Sequence, residues 1–175
     1  MPNSDGVRTT FHCLLWLLVL SLLAGFSWHW PGGHKSWADV DDFISSRYPE
    51  VNHISTEDLQ SLYKRGRQFY LFDIRTPEEF EVSHLAGAVR LEKVEEVNLP
   101  GDAFIIAYCA VGVRSAAFVD DLQRRGYSHV YNLKGSIFGW ANKGYPTVRK
   151  GRNAYKVHPY NSRWGVLLDK ELHND

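Results

Sequence analysis

The pattern of hydrophobic and polar positions divides the chain into an apolar run near the N-terminus and a longer region of alternating helical and strand patterns. Residues 11–28 contain no Asp, Glu, Lys or Arg and are dominated by leucine. A helix of this length, rising about 1.5 Å per residue, extends roughly 27 Å. A bilayer's hydrocarbon core is roughly 30 Å thick. The pattern therefore predicts one transmembrane helix within an N-terminal leader, residues 1–30.

A cleaved signal peptide is the alternative interpretation of this run, because the run follows Arg8 and ends near the small residues Gly25 and Ser27. Trp28, Trp30 and Trp37 favour the anchor, since indole rings concentrate at membrane interfaces. Basic residues on the two sides of the run barely discriminate between orientations. A short, lightly charged leader commonly stays in the cytoplasm while the larger domain crosses the membrane. We therefore expect the domain outside the cytoplasm, which in a bacterium is the periplasmic side. If the leader is cleaved, we expect a secreted protein.

Helical and strand patterns alternate after the Pro-Gly-Gly break at residues 31–33. Amphipathic spacing and capping residues predict helices at residues 38–47, 55–64, 77–80, 114–125 and 136–143. Apolar runs rich in branched and aromatic residues predict strands at residues 69–74, 88–91, 103–108 and 129–133. This alternation predicts an α/β fold with a mostly parallel central sheet and helices on both faces. Residues 31–53 are then a linker with a lead-in helix, and residues 54–148 form the domain.

The C-terminal tail, residues 149–175, carries more basic than acidic side chains. We expect its apolar and aromatic residues to pack back on the domain: Tyr155, Val157, Tyr160, Trp164, Leu167 and Leu168. A contact between the basic residues and anionic lipid headgroups is the alternative.

Composition narrows the classes of function. A length of 175 residues allows one ordinary domain with appendages. Lys plus Arg (20) equals Asp plus Glu (20), so the chain lacks the positive charge typical of a nucleic-acid binder. Cys13 lies in the apolar run and Cys109 far from it, which rules out a disulfide framework within the domain.

Cys109 directly follows the strongest strand pattern and precedes the strongest helical pattern. Ligands of open parallel sheets bind where strands end and helix N-termini present unpaired N–H groups. That dipole and the nearby Arg114 favour a thiolate, and Gly112 lets the connecting loop curl. The position therefore predicts a reactive cysteine, although a lone cysteine at a strand end is more often a packing residue.

The residues around Cys109 resemble a known family. The sequence CAVGVRS (109–115) is similar to the active loop of rhodanese domains, in which a cysteine opens a six-residue loop with glycine fourth and arginine sixth. Further similarity to the signatures of that family lies in LFDIR (71–75), PEEF (77–80), HLAGA (84–88), LKGS (133–136), GYP (144–146) and Trp140. Their order, between about residues 54 and 148, argues against an accidental match. Ala86 departs from the family, which usually has proline there.

The resemblance implies a sulfurtransferase. Cys109 would take the outer sulfur of a donor such as thiosulfate, hold it as a persulfide and pass it to a thiol or cyanide acceptor. The persulfide would be bound by the backbone N–H groups of the loop: Ala110, Val111, Gly112, Val113, Arg114 and Ser115. No metal and no organic cofactor is required. Asp73 and Arg75 would border the site, with a structural ion pair an equally good interpretation.

Other functions stay open at this point. A rhodanese module without catalysis would serve as a binding or sensing domain, and a related phosphatase or arsenate reductase would use the same type of anion site. His84 is a weaker candidate for acid–base chemistry, and we favour a loop histidine bonded to the backbone. The identity of the donor, the acceptor and any protein partner depends on surfaces outside the loop.

Overall fold

The structure, a computed structural model, describes residues 36–174. The apolar run at residues 11–28 lies outside the described residues, so the predicted anchor, the alternative signal peptide and the membrane orientation stay predictions. Within residues 36–174, no helix is both long enough and apolar enough to cross a membrane.

A five-stranded sheet forms the centre of the described chain. Its strands are β1 (His53–Ile54), β2 (Tyr70–Asp73), β3 (Val89–Arg90), β4 (Ile105–Tyr108) and β5 (Val130–Leu133). They lie in the order β1-β5-β4-β2-β3, and each neighbouring pair is parallel. Every residue of the central strand β4 is buried, which explains its continuous apolar sequence. The predicted parallel sheet is confirmed.

The helices begin and end close to the predicted positions. They are α1 (Trp37–Arg47), α2 (Thr56–Lys64), α3 (Pro77–Val82), α4 (Val113–Arg124) and α5 (Ser136–Asn142), with a 3₁₀ turn at Val94–Glu96. The Ser55 side chain caps α2 by accepting a hydrogen bond from the N–H of Asp58 at 3.0 Å. Pro77 occupies the first turn of α3, where its missing N–H costs nothing.

The direction of the connections explains how helices cover the sheet. The chain crosses from β1 through α2 to β2 in one direction along the sheet, and from β4 through α4 to β5 in the other. Because such crossovers are right-handed, α2 and α4 lie on opposite faces. Helix α1 packs with α4, and α2 packs with α5. The direction reverses between β2 and β4, which makes their carboxyl ends the switch point of the sheet.

The lead-in helix α1 belongs to the folded core, since Val40 and Ile44 are buried there. The boundary that we expected after residue 148 falls inside β6 (Thr147–Arg149), which forms an antiparallel hairpin with β7 (Arg152–Ala154). The chain then continues through α6 (Ser162–Gly165) and a 3₁₀ turn at Lys170–Leu172.

The tail packs back on the domain, as expected. Val157, Leu167 and Leu168 are buried, and Asn142 at the end of α5 holds the tail with its side-chain amide. Its Nδ2 donates to the Leu167 carbonyl at 2.8 Å, and its Oδ1 accepts from the backbone N–H of Asp169 at 3.0 Å.

Tyr155 departs most from the expectation that the tail residues pack inward, and Tyr160 is also 39% exposed. The prediction for Tyr155 was wrong: 79% of this residue is exposed. Val157 fills the inward-facing position of this stretch instead.

Candidate active site

The switch point of the sheet brings two of the predicted segments together. Asp73, the last residue of β2, lies opposite Tyr108, the last residue of β4. Arg75 lies two residues after Asp73, and Cys109 directly follows Tyr108, so both lie at the same edge of the sheet. This edge is where an open parallel sheet binds its ligands.

The loop after β4 turns its backbone toward the cysteine sulfur. The N–H of Gly112 donates to the Sγ of Cys109 at 3.1 Å. Gly112 has φ +110°, which side chains rarely permit, and an added Cβ would lie 3.4 Å from the Cδ1 of Ile44. A glycine is therefore required where the loop curls into the N-terminus of α4, as the sequence predicted.

Two polar residues outside the loop, Asn132 and Ser136, hold it in place by hydrogen bonds. Asn132 of β5 donates through Nδ2 to the Gly112 carbonyl at 3.1 Å and accepts at Oδ1 from the hydroxyl of Ser115 at 2.7 Å. The backbone N–H of Cys109 donates to the Oγ of Ser136 at 3.1 Å. Both are fully buried, so the loop is held in shape without any ligand.

The guanidinium of Arg114 forms an ion pair with Glu79, a residue that the sequence placed in a predicted helix without a role at the site. Its Nη1 and Nη2 donate to the two oxygens of Glu79, each at 2.8 Å. Glu79 is buried, and burial alone would raise its pKa. The bonds from Arg114 and the N–H of Thr76 outweigh that effect and lower the pKa of Glu79. The pair is bidentate, so it fixes the orientation of Arg114.

The pKa of Cys109 is lowered from its ordinary value. Burial, the largest single effect, raises the pKa of this thiol, but several effects oppose it. These are the positive charge of Arg114 and the hydrogen bonds from Ser115 and Gly112. The site therefore favours the thiolate, which is the nucleophilic form of cysteine.

The pH dependence of alkylation tests this electrostatic arrangement. Because the pKa is lowered, the rate at which iodoacetamide alkylates Cys109 should reach half of its plateau at a lower pH than for an ordinary thiol. Arg114→Ala removes the opposite charge, so its midpoint should move to higher pH. Arg124→Ala, at the far end of α4 and paired with Asp120 and Asp121, should leave the midpoint unchanged. Equal midpoints in the wild type and Arg114→Ala would contradict this assignment.

Asp73 and Arg75 form a buried ion pair beside the loop. The Nε and Nη2 of Arg75 lie 2.9 Å and 2.7 Å from the carboxylate oxygens of Asp73, and both side chains have 0% exposure. Nη2 also donates to the carbonyl of Ser83 at 2.6 Å. Neither residue lines the pocket at Cys109, so the structure supports the interpretation as a structural pair.

His84 has the role favoured from the sequence. Its Nδ1 lies 3.1 Å from the carbonyl of Phe80, and its ring stacks on the Phe80 ring at 3.9 Å between centroids. Within residues 36–174, no group of three or more His, Cys, Asp or Glu side chains is placed to hold a metal ion.

A cavity of about 130 Å³ lies at the cysteine. Its lining combines the predicted loop with two aromatic residues of the tail: Cys109, Ala110, Val111, Val113, Arg114, Tyr160 and Trp164. The ring of Tyr160 covers Arg114, with 4.5 Å from Cζ to the ring centroid. We expected Tyr160 and Trp164 only to pack on the domain, and no motif in the sequence indicated a role at the site.

Comparison with known proteins agrees with this geometry. The profile of the rhodanese-like domain family matches residues 55–143. A sulfurtransferase of Allochromatium vinosum is 33% identical over 102 residues, which cover 56% of this chain and 95% of that protein. The thiosulfate sulfurtransferase GlpE of Coxiella burnetii is 26% identical over 110 residues, covering 61% of this chain and 98% of GlpE.

A solved structure, that of the Alr3790 protein from Anabaena, aligns with a TM-score of 0.52 at 25% identity, covering 55% of this chain and 82% of that one. The chain spans only 26% of a larger relative that it also matches. The family profile covers half of the chain, and its match begins at the cap of α2 and ends just after α5. The chain therefore belongs to the rhodanese-like domain family.

Proposed function

We propose that this chain is a rhodanese-type sulfurtransferase that carries sulfane sulfur as a persulfide on Cys109. The observation that supports the proposal best is the contact of the Cys109 sulfur with the Gly112 N–H at the start of α4. A thiolate with a lowered pKa, facing backbone donors, is equipped to attack sulfur and to hold an anionic product. The names of the relatives agree with this activity.

With thiosulfate as donor, the Cys109 thiolate attacks the outer sulfur. An S–S bond to Cys109 forms while the S–S bond of thiosulfate breaks, and the electron pair of that bond leaves with sulfite. The products are the Cys109 persulfide anion and sulfite, so atoms and charge balance. The loop N–H groups that face the thiolate then stabilise the negative charge on the transferred sulfur.

The second half of the cycle regenerates the thiolate. A thiolate or cyanide acceptor attacks the outer sulfur of the persulfide, and the electron pair of the broken S–S bond returns to Cys109. The acceptor leaves as its own persulfide or as thiocyanate. Neither half needs a metal, an oxidant or an organic cofactor.

Intact-mass measurement of the purified protein, with and without thiosulfate, tests the proposal directly. A gain of one sulfur atom that a thiol acceptor removes supports the carrier function. A binding or sensing module would keep its mass in every condition, and that result would overturn the proposal.

A phosphatase of related fold is the competing enzyme class, and loop size separates the two. The loop from Cys109 through Arg114 has six residues, whereas related phosphatases resemble it with a loop one residue longer. Nη1 and Nη2 of Arg114 each donate to Glu79, so two of its five N–H groups are not available to a tetrahedral phosphate.

We therefore expect sulfur transfer from thiosulfate and negligible hydrolysis of an aryl phosphate. Inserting one glycine after Gly112 should slow sulfur transfer by about a hundredfold, because a small misplacement of the loop donors is costly. Initial rates on both substrates check the result. Faster turnover of the aryl phosphate than of thiosulfate by the wild type would refute the assignment.

A further inference from the structure

The tail supplies part of the active-site wall from outside the segment that matches the family. That segment ends at residue 143, while Tyr160 and Trp164 line the cavity at Cys109. The remaining lining is mainly carbon from Ala110, Val111 and Val113. One side of the site is therefore formed by residues outside the matched segment.

Tyr160 is held in place by an unusual backbone conformation. Its φ is +64°, a left-handed value that a bulky residue adopts only when its surroundings impose it. Its N–H donates to the Nδ1 of His158 at 3.0 Å, and its ring covers Arg114. Strain of this kind concentrates at functional sites.

Trp164 lies on α6, which is capped by the side chain of Asn161. The Oδ1 of Asn161 accepts from the N–H groups of Arg163 and Trp164 at 3.0 Å and 3.1 Å. The buried Leu167 and Leu168 follow directly and anchor the segment in the core. The cap and the two buried leucines therefore fix the backbone that carries Trp164.

The wall changes what the cavity can bind well. Two of the five N–H groups of Arg114 are bound to Glu79, and its face is under Tyr160. A small dianion such as thiosulfate would lose strongly bound water, which the loop N–H groups and the remaining N–H groups of Arg114 replace only in part. A monoanion with a carbon substituent loses less hydration and buries apolar surface against the rings. The cavity volume, about 130 Å³, approaches the roughly 150 Å³ of an apolar cavity that accepts benzene.

We propose that Tyr160 and Trp164 make this site selective for organic sulfane-sulfur donors, whose carbon group lies against the two rings, over inorganic thiosulfate. This inference rests on the proposed sulfurtransferase function. With a thiosulfonate, the Cys109 thiolate bonds to the terminal sulfur, the S–S bond of the donor breaks, and its electron pair leaves on an organic sulfinate. Atoms and charge balance, and no further reactant is needed.

The test compares benzenethiosulfonate, methanethiosulfonate and thiosulfate as donors to the full-length chain. The rate of persulfide formation on Cys109 is followed by mass spectrometry, and kcat/KM is taken for each donor. We expect the wild type to prefer benzenethiosulfonate over thiosulfate by at least about tenfold, with methanethiosulfonate between them. Tyr160→Gly, which suits the left-handed backbone, and Trp164→Ala should each reduce this preference by about tenfold.

Two control variants separate the wall from general effects on the tail. Tyr155→Ala changes an exposed aromatic residue of the same tail and should keep the wild-type ratio. Tyr160→Phe keeps the ring and should keep the ratio as well, and Trp164→Ala carries the test if Tyr160→Gly does not fold. An unchanged ratio in Tyr160→Gly and Trp164→Ala, or a wild-type preference for thiosulfate, overturns this inference alone. Persulfidation by none of the three donors overturns the proposed function instead.

Discussion

Replacing Cys109 by serine should reduce sulfur transfer to background while leaving the fold within about 1 kcal/mol of wild-type stability. A hydroxyl oxygen does not form a persulfide, so the group that carries the sulfur is lost. The smaller Oγ still accepts a hydrogen bond from the Gly112 N–H that now contacts the sulfur. Thiosulfate turnover, intact mass and urea denaturation check the three parts of this expectation.

Cys13→Ser is the matched control, because it removes the other cysteine of the sequence. Its transfer rate per folded protein should equal that of the wild type. Persulfidation of the Cys109→Ser variant at a rate near that of the wild type would show that a different group performs the chemistry. Loss of folding in that variant would instead contradict the geometric part of the expectation.

Asp73→Asn should destabilise the protein by about 3–5 kcal/mol, because it leaves the guanidinium of Arg75 charged and buried without its carboxylate. Both side chains have 0% exposure, so water does not replace the lost partner. The carbonyl of Ser83 remains as an acceptor of Nη2 but carries no full charge. Equilibrium unfolding in urea measures the change.

Asp121→Asn is the control for that substitution. It removes the same charge from an exposed ion pair with Arg124, in which 51% of the Asp121 side chain is accessible. Such pairs contribute little, so we expect a change within about 0.5 kcal/mol. A loss below about 1 kcal/mol in Asp73→Asn would mean that the buried pair relaxes or admits water.

Most strands and helices of the domain were predictable because they have a local signal, but β1, only two residues long, and the hairpin of β6 and β7 were not predicted. The apolar run at residues 69–74 contains the strand Tyr70–Asp73. Likewise, Cys109, Gly112 and Arg114 are close in sequence, so strand, loop and helix N-terminus are encoded in one short segment. The location of the site followed from that segment alone.

The residues that complete the site were not predictable in this way. Asn132 bonds to Gly112 across 20 positions, and Glu79 bonds to Arg114 across 35. Which polar side chain faces the loop depends on the order of strands in the sheet, and periodicity does not encode that order. Tyr160 belongs to a tail of irregular backbone that has neither the period of a helix nor that of a strand. No local pattern in the sequence therefore indicated that its ring would lie against Arg114.

The burial of Cys109, which is 1% exposed, determines how a sulfur atom would leave this protein if the proposed function holds. A thiolate with a lowered pKa is also the form that peroxides oxidise, and oxidation beyond the sulfenic acid is generally irreversible. Enclosure by the loop and the tail limits such damage by limiting access. The same enclosure means that the stored sulfur would leave only when an acceptor thiol or cyanide enters the cavity and contacts the persulfide directly.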